Sequence, residues 1–345
     1  MAAGFDFKQR LGAGHFGEVW RANDVALNTI RAVKLILPTK VFNPNNIFHE
    51  AQVLKTAEHP NVVRVEECGT MDDGRIYIAM EFLPKGSLED EAKGAYIALT
   101  RAYRIMIDVL RGLQYAHDKG IVHCDIKPAN IMVGDNNEGK LSDFGLAIPA
   151  GINFQSLGAK DYGYVIHFAP EVMLNRSYSV LSDIYAAGVT MYRFVNGDSY
   201  LPPFDPLTLR QSIIDGNFPN RKDYREFIPR SLRAFINRAM DPDPKKRFQS
   251  ADDMRHALER ITLQMNWQES ILPDGKKWIC SWDSICYEVT QINLKDKTWS
   301  VEYRKGQSKK NLRKVNSLCG TSLNKIKAEQ LTRRILQDHV LGRLK

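Results

Sequence analysis

The stretch Leu11–Val19, "LGAGHFGEV", sets Gly12, Gly14 and Gly17 between two segments of strand character. Glycine lets backbone N–H groups approach phosphate oxygens with no Cβ in the way. A G-x-G-x-x-G turn that opens a helix would signal a dinucleotide-binding βαβ unit. Here the chain continues as a strand through Val19 and Trp20, which argues for a glycine-rich hairpin instead.

The pattern after the turn is that of a strand-rich part followed by a helix-rich part. "TIRAVKLIL", "VVRVEEC" and "RIYIAMEFL" are apolar or β-branched runs and predict strands. "PNNIFHEAQVLKTAE" carries Ile47, Ala51 and Leu54 at helical spacing and ends before Pro60. From Leu99 the periodicity becomes helical: "YRIMIDVLRGLQYAHDKG" closes on Gly120, a suitable residue just past a helix end. "VLSDIYAAGVTMYRFVNG", "SLRAFINRAMDP" and "ADDMRHALERITLQM" are further helix predictions.

Residues suited to phosphate chemistry recur along this frame. Lys34 follows the glycines in "RAVK", and Glu50 sits mid-helix where it would face Lys34 and hold the ammonium toward phosphates. "HCDIKPAN" (His123–Asn130), "DFG" (Asp143–Gly145) and "APE" (Ala169–Glu171) then follow in order. Phosphoryl transfer needs an acceptor for the hydroxyl proton, hard ligands for Mg²⁺ and cations on the phosphates. Asp125 suits the first role, Asn130 and Asp143 the second, Lys34 and Lys127 the third.

On these motifs the chain resembles a eukaryotic-type (Hanks-type) serine/threonine protein kinase over residues 5–265. The resemblance implies an α+β, bilobal fold, with a β-rich N-lobe and an α-helical C-lobe. It implies ATP and Mg²⁺ as cofactors and Ser/Thr hydroxyls of protein substrates as acceptors. It also implies an adenine pocket in which Leu11, Val19, Ala32 and Met132 surround the base, with Met80 as gatekeeper. Glu81 and Leu83 would supply hinge hydrogen bonds. Leu54, Val65, His123 and Phe144 would stack as a spine, Asp183 would tie down His123, and Glu171 would pair with Arg247. Lys127 matches the D-x-K-P-x-N form typical of Ser/Thr specificity. A scaffold that uses the kinase fold only for binding, and a kinase-fold enzyme acting on small molecules, are the competing readings.

Two departures from the family pattern bear on control and specificity. Many members carry Arg before the catalytic Asp, where it binds an activation-loop phosphate; here that residue is Cys124. The loop is thus expected to transfer phosphate without that clamp. Before "APE", Tyr164 stands where Thr is usual and His167 where Tyr is usual, which leaves the peptide preference open.

The last 80 residues differ sharply in charge. Residues 266–345 hold 16 Lys+Arg against 8 Asp+Glu, whereas the other 265 residues hold 32 of each. The shift places a boundary near Gln264–Gln268 and defines a small basic α+β module of unknown family over 266–345. "SICYEVTQINLKDKTWSVEYR" predicts a hairpin turning at Lys295–Lys297, "SKKNLRKVN" reads as a flexible basic stretch, and a helix is expected from Thr321, capped by Thr321 or Ser322. Four of the five tryptophans (Trp267, Trp278, Trp282, Trp299) lie here. Interleaved with cations, they suit nucleic-acid binding; an acidic protein partner or docking on the kinase part, or a plain structural core, accounts for them equally well.

The five cysteines are scattered and read as reduced thiols of a cytoplasmic protein. Cys280 and Cys286 lack zinc-site spacing. No run of apolar residues is long enough for a membrane span, and "MAAGFDFKQR" lacks signal-peptide character.

Overall fold

The apolar run of "TIRAVKLI" is explained by burial on both of its faces. Val33 and Leu35 pack with Phe5, Ala22, Met71 and Ala79 in a small cluster, while Ala32 and Ile36 face the main core. The computed structural model describes residues 4–14, 17–37, 58–143, 165–201, 205–294 and 297–344. Strands β1 (Phe5–Gly14), β2 (Gly17–Asp24), β3 (Thr29–Ile36), β4 (Val65–Thr70) and β5 (Ile76–Glu81) form one antiparallel sheet in the order β1-β2-β3-β5-β4. The predicted helix with Ile47, Glu50, Ala51 and Leu54 lies outside the described residues, as do Phe144, Gly145 and Tyr164.

The helical part follows the expected periodicities. After the short α1 (Glu89–Gly94), α2 (Leu99–Asp118) buries Leu99, Ala102, Ile105, Met106, Val109, Leu110, Leu113 and Ala116 along one stripe. It ends as predicted, with Gly120 in the left-handed region at φ 75°. The short strands β6 (Ile131–Val133) and β7 (Gly139–Leu141) form a hairpin, and α3 (Pro170–Asn175) begins at the Pro of "APE". Helix α4 (Val180–Asn196) is buried almost all round, and every residue from Ser182 to Asn196 is buried. It is the post around which α2, α6 (Arg230–Ala239) and α7 (Ala251–Glu259) pack, and α5 (Pro206–Ile214) lies against α3. Among the described residues no helix is long and apolar enough to cross a membrane.

The basic part is a second antiparallel sheet with one helix. Strands β8 (Gln268–Leu272), β9 (Gly275–Trp282), β10 (Ile285–Asn293), β11 (Trp299–Gly306) and β12 (Arg313–Lys314) lie in the order β12-β11-β10-β9-β8, and β13 (Gly320–Leu323) also pairs with β11. The predicted hairpin is β10–β11, with Asn293 opposite Trp299; Lys295 and Asp296 of its turn lie outside the described residues. Two expectations need correction. "SKKNLRKVN" is not all loose chain, because Arg313 and Lys314 pair with Lys305 and Arg304 as β12. Helix α8 (Lys325–Val340) starts later than predicted, because Thr321–Leu323 are drawn into β13; Asn324 is its cap, its side chain accepting from Lys327 N at 2.9 Å.

The tryptophans divide by position. Trp267 and Trp278 are fully buried, Trp299 is packed on the core, and Trp282 is 38% exposed. Side chains from β9–β11 and α8 share one apolar cluster with the helical lobe. Around it, Tyr96 Oη donates to Trp267 O at 2.6 Å and accepts from Glu269 N at 2.9 Å. Asn266 bonds Thr100 twice. Arg225, buried between the rings of Tyr96 and Tyr200, meets Glu269 at 2.8 Å.

Candidate active site

The catalytic-loop geometry begins with a buried carboxylate. Asp183, on the first turn of α4, accepts from His123 N (2.8 Å), Cys124 N (2.9 Å) and the His117 ring (2.9 Å). These bonds hold Cys124 in the left-handed region, φ 66°, which an L-residue seldom adopts without such restraint. His123 is itself fixed at both ring nitrogens. Its Nδ1 accepts from Asp125 N at 3.3 Å and its Nε2 faces Ser142 O at 3.1 Å, so the proton belongs on Nε2. Burial pushes its pKa down and keeps it neutral.

Beyond this support the chemistry-bearing groups converge. Ile126 is fully buried and anchors the loop, and Pro128–Asn130 form a 3₁₀ turn. Lys127 Nζ reaches Asp125 Oδ2 at 2.8 Å, and Asn130 Nδ2 donates to Asp125 O and Oδ2, both at 2.8 Å. Burial raises the Asp125 pKa, and Lys127 opposes the rise. Ser142 N donates to Asn130 O at 2.9 Å, which ties the start of "DFG" to the loop. Asp143, also left-handed at φ 57°, receives Lys34 Nζ on Oδ1 at 2.8 Å. Burial alone would raise the Asp143 pKa, but Lys34 and Lys127 together hold it below the usual carboxylate value. Lys34 thus meets Asp143 directly, and its predicted partner Glu50 lies outside the described residues.

The predicted base-binding residues are gathered with one exception. Ala32 lies opposite Met80 in the β3–β5 register, and both join Leu83 in the main cluster, with Val19 and Met132 packed against it. Leu11 stands apart on β1, 44% exposed. The Glu81 carboxylate is taken by Lys140 at 2.8 and 3.0 Å, and Leu83 O accepts from Gly86 N at 3.1 Å. The glycines differ in kind. A Cβ on Gly12 would meet nothing within 4 Å, so its space is open; one on Gly17 would collide with the Leu35 carbonyl, a packing reason unrelated to phosphate. Gly14 pairs with Gly17 at the strand ends.

The pairing of Glu171 with Arg247 is present as a two-pronged contact at 2.7 and 2.8 Å. Three features escaped the sequence reading. His117 shares Asp183, as described above. Arg193 of α4, 2% exposed, bonds Asp198 at 2.8 Å through two nitrogens, approaches Glu89, and lies 3.5 Å from His167, so the unusual His is part of a buried polar network. Tyr178 packs edge-on to Phe168, and its hydroxyl pKa is raised by burial and then by Cys124 and Asp125. His117 and Asp183 are 66 residues apart and Arg193 and Glu89 are 104 apart, so no local spacing signals those contacts.

Comparison with known families matches residues 5–258 to the protein kinase domain. Among curated relatives, the serine/threonine-protein kinase PknJ of Mycobacterium tuberculosis is 30% identical over 267 residues, covering 74% of this chain and 45% of the relative. CBL-interacting protein kinase 1 of Oryza sativa subsp. japonica is 33% identical over 261 residues, covering 73% of this chain and 55% of the relative. The chain therefore spans about half the length of these relatives. Among solved structures, Rad53 1-466 in complex with AMP-PNP superposes with a TM-score of 0.61 at 26% identity, covering 74% of this chain and 66% of that one. The family match runs from Phe5 to Leu258, through both the β-rich and the helical part and across every motif placed above: the chain belongs to the protein kinase family.

Proposed function

We propose that residues 5–265 are a working kinase domain that transfers the γ-phosphoryl group of ATP to Ser/Thr hydroxyls of protein substrates. The observation that carries this reading is the convergence of two hydrogen-bonded sets, Asp125 with Lys127 and Asn130, and Lys34 with Asp143, joined through the backbone bond from Ser142 N to Asn130 O. Asp125 accepts the hydroxyl proton; Asn130 holds its carboxylate in place, and the raised pKa makes it a better acceptor. Lys127 and Lys34 bring positive charge to the phosphates.

The donor set also suits Mg²⁺. Asn130 spends its amide nitrogen on Asp125, so its amide oxygen is the atom left for a metal, and Asp143 is held as a carboxylate. One amide oxygen and one carboxylate match a cation that takes its remaining ligands from phosphate and water. Bound there, Mg²⁺ would neutralise charge on the phosphates.

Control is proposed not to depend on a loop phosphate gripped beside Asp125, because Cys124 offers no cation and its thiol is turned to Val122 O at 3.4 Å. Residues 266–345 are proposed to form a module that targets the kinase to a polyanionic partner, nucleic acid or an acidic protein; their net charge of +8 supports this.

The test is incubation with Mg²⁺ and labelled ATP, with mass spectrometry of the products. Phosphate on Ser or Thr of an added protein is expected, and Asp125→Ala should lower turnover by roughly 10²–10⁴-fold while ATP binding persists. ATP binding without transfer by the unmutated chain would leave a scaffold, and label only on small molecules would mean a different acceptor. Wild-type turnover in Asp125→Ala would overturn the assignment of the base.

A further inference from the structure

The register of the second sheet brings together groups that are far apart in sequence. Trp282 pairs with Ile285, Cys280 and Lys305 both lie opposite Tyr287, and Arg313 lies opposite Lys305. Alternation along each strand puts Trp282, Ile285, Tyr287, Lys305 and Arg313 on one face. Tyr287 is buried on that face against His339 of α8. Toward the sheet end Trp282 is exposed and Ile285 half-covered, while Lys305 and Arg313 are exposed. The β11–β12 connection adds Lys309 and Lys310, also exposed.

The charges at this rim are placed against their own repulsion. Lys305 faces Arg313 and Arg304 faces Lys314 across the strands, so like charges stand directly opposite one another. On the opposite face Glu302 answers the second pair, with contacts of 2.7 Å to Arg304 and 2.9 Å to Lys314. Lys309, Lys310 and Arg313 have no acidic partner among the described residues, and no Asp or Glu occurs between Tyr303 and Ala328. A lysine or two would be enough to keep a two-residue edge strand from pairing with another chain. Four further cations, Lys305, Lys309, Lys310 and Arg313, at the rim that carries an uncovered indole exceed that need.

We propose that this rim binds single-stranded nucleic acid, with phosphates on Lys305, Lys309, Lys310 and Arg313 and a base stacked on Trp282. This rests on the reading of residues 266–345 as a targeting module, and names its partner. From β9 to β12 there are three strand spacings, about 14 Å, a width suited to the low end of single-strand site sizes, about four nucleotides. An acidic protein would use the cations alone and leave the indole idle. A duplex keeps its bases stacked internally and offers none to Trp282.

The experiment is an anisotropy titration of the full chain with a labelled single strand of about twelve nucleotides, a duplex of the same length and polyglutamate. The single strand should bind most tightly. Four phosphate contacts give a log–log salt slope near −2.8, roughly a fiftyfold loss of affinity from about 50 to about 200 mM salt. The triple substitution Lys309→Ala, Lys310→Ala, Arg313→Ala should flatten the slope by about 2. Trp282→Ala should weaken single-strand binding about tenfold, leave polyglutamate binding unchanged and keep the melting temperature. If polyglutamate binds as tightly and Trp282→Ala has no effect, the partner is an acidic protein: the nucleic-acid proposal fails and the targeting reading stands. If no polyanion binds at about 50 mM salt, both fail.

Discussion

Arg225→Met is the sharpest test of whether the basic part is locked onto the helical lobe. The substitution keeps most of the apolar stem and removes the guanidinium. Arg225 and Glu269 side chains are only 9% and 6% exposed, so their contact is largely shielded from solvent. Removing one member of a buried pair commonly costs about 3–5 kcal/mol, because the other charge is left uncompensated. Here Glu269 keeps the Trp278 indole N–H at 3.0 Å and Lys276 at 3.9 Å, which favours the low end. Against that, Asn196 O loses its donor at 2.8 Å, and the rings of Tyr96 and Tyr200 lose a cation held 4.4 and 4.7 Å from their centres. The expected loss is about 3–4 kcal/mol. For a chain of this size, at about 2.1 cal/mol/K of unfolding entropy per residue, that is a fall in melting temperature of roughly 4–6 °C, read by circular dichroism. Glu269→Gln in the same background should cost less than it does alone, with a coupling of at least about 1 kcal/mol. A shift under about 3 °C, or strict additivity, would refute the reasoning; two separate transitions of which only the later responds would show that the basic part folds as its own unit.

Two other outcomes follow from the structure. Phosphatase treatment should change activity on a supplied peptide by no more than about twofold; a large loss mapped to Ser156, Tyr162 or Tyr164, the hydroxyl residues between Leu146 and Phe168, would show that another cation grips a loop phosphate. His339 is fully buried, bonds Tyr303 Oη at 3.0 Å and has an unpartnered buried Nδ1; burial, then Lys305, lowers its pKa from 6.5 to about 4. Its neutral form therefore stabilises the fold fully above the unfolded value, and that stability is lost as pH falls from about 6.5 toward 4. Between about pH 7.5 and 5 the loss is roughly 2 kcal/mol, and it should vanish in His339→Phe; an equal acid sensitivity in that variant would assign it to other groups.

The parts of this site that could be read from sequence are those whose chemistry is local. Asp125, Lys127 and Asn130 lie within one turn of chain, and their mutual bonds follow from that spacing. The end of α2 at Gly120 was legible for the same reason. The cap of α8 was not, since Thr321, Ser322 and Asn324 are all competent capping residues. The choice fell to Asn324 only because Leu323 pairs with Trp299 across the sheet. The tryptophans could not be sorted either, because core and stacking roles require the same residue type; Trp278, Trp282 and Trp299 share one face of the sheet, so the reach of α8 across that face, not strand parity, decides between them. The seam was invisible, since Arg225 and Glu269 are 44 residues apart and no periodicity links them.

The hydrogen bonds that Asp183 accepts from His123 and Cys124 come from the main chain, so the shape of the loop at position 124 is written in backbone rather than in side chain. Whatever residue stands there inherits the same left-handed turn and the same placement of Asp125. On the function proposed above, reading an incoming signal and carrying out the transfer would be separate roles of adjacent residues, and a single replacement at 124 would disconnect the switch while the machine behind it keeps its alignment.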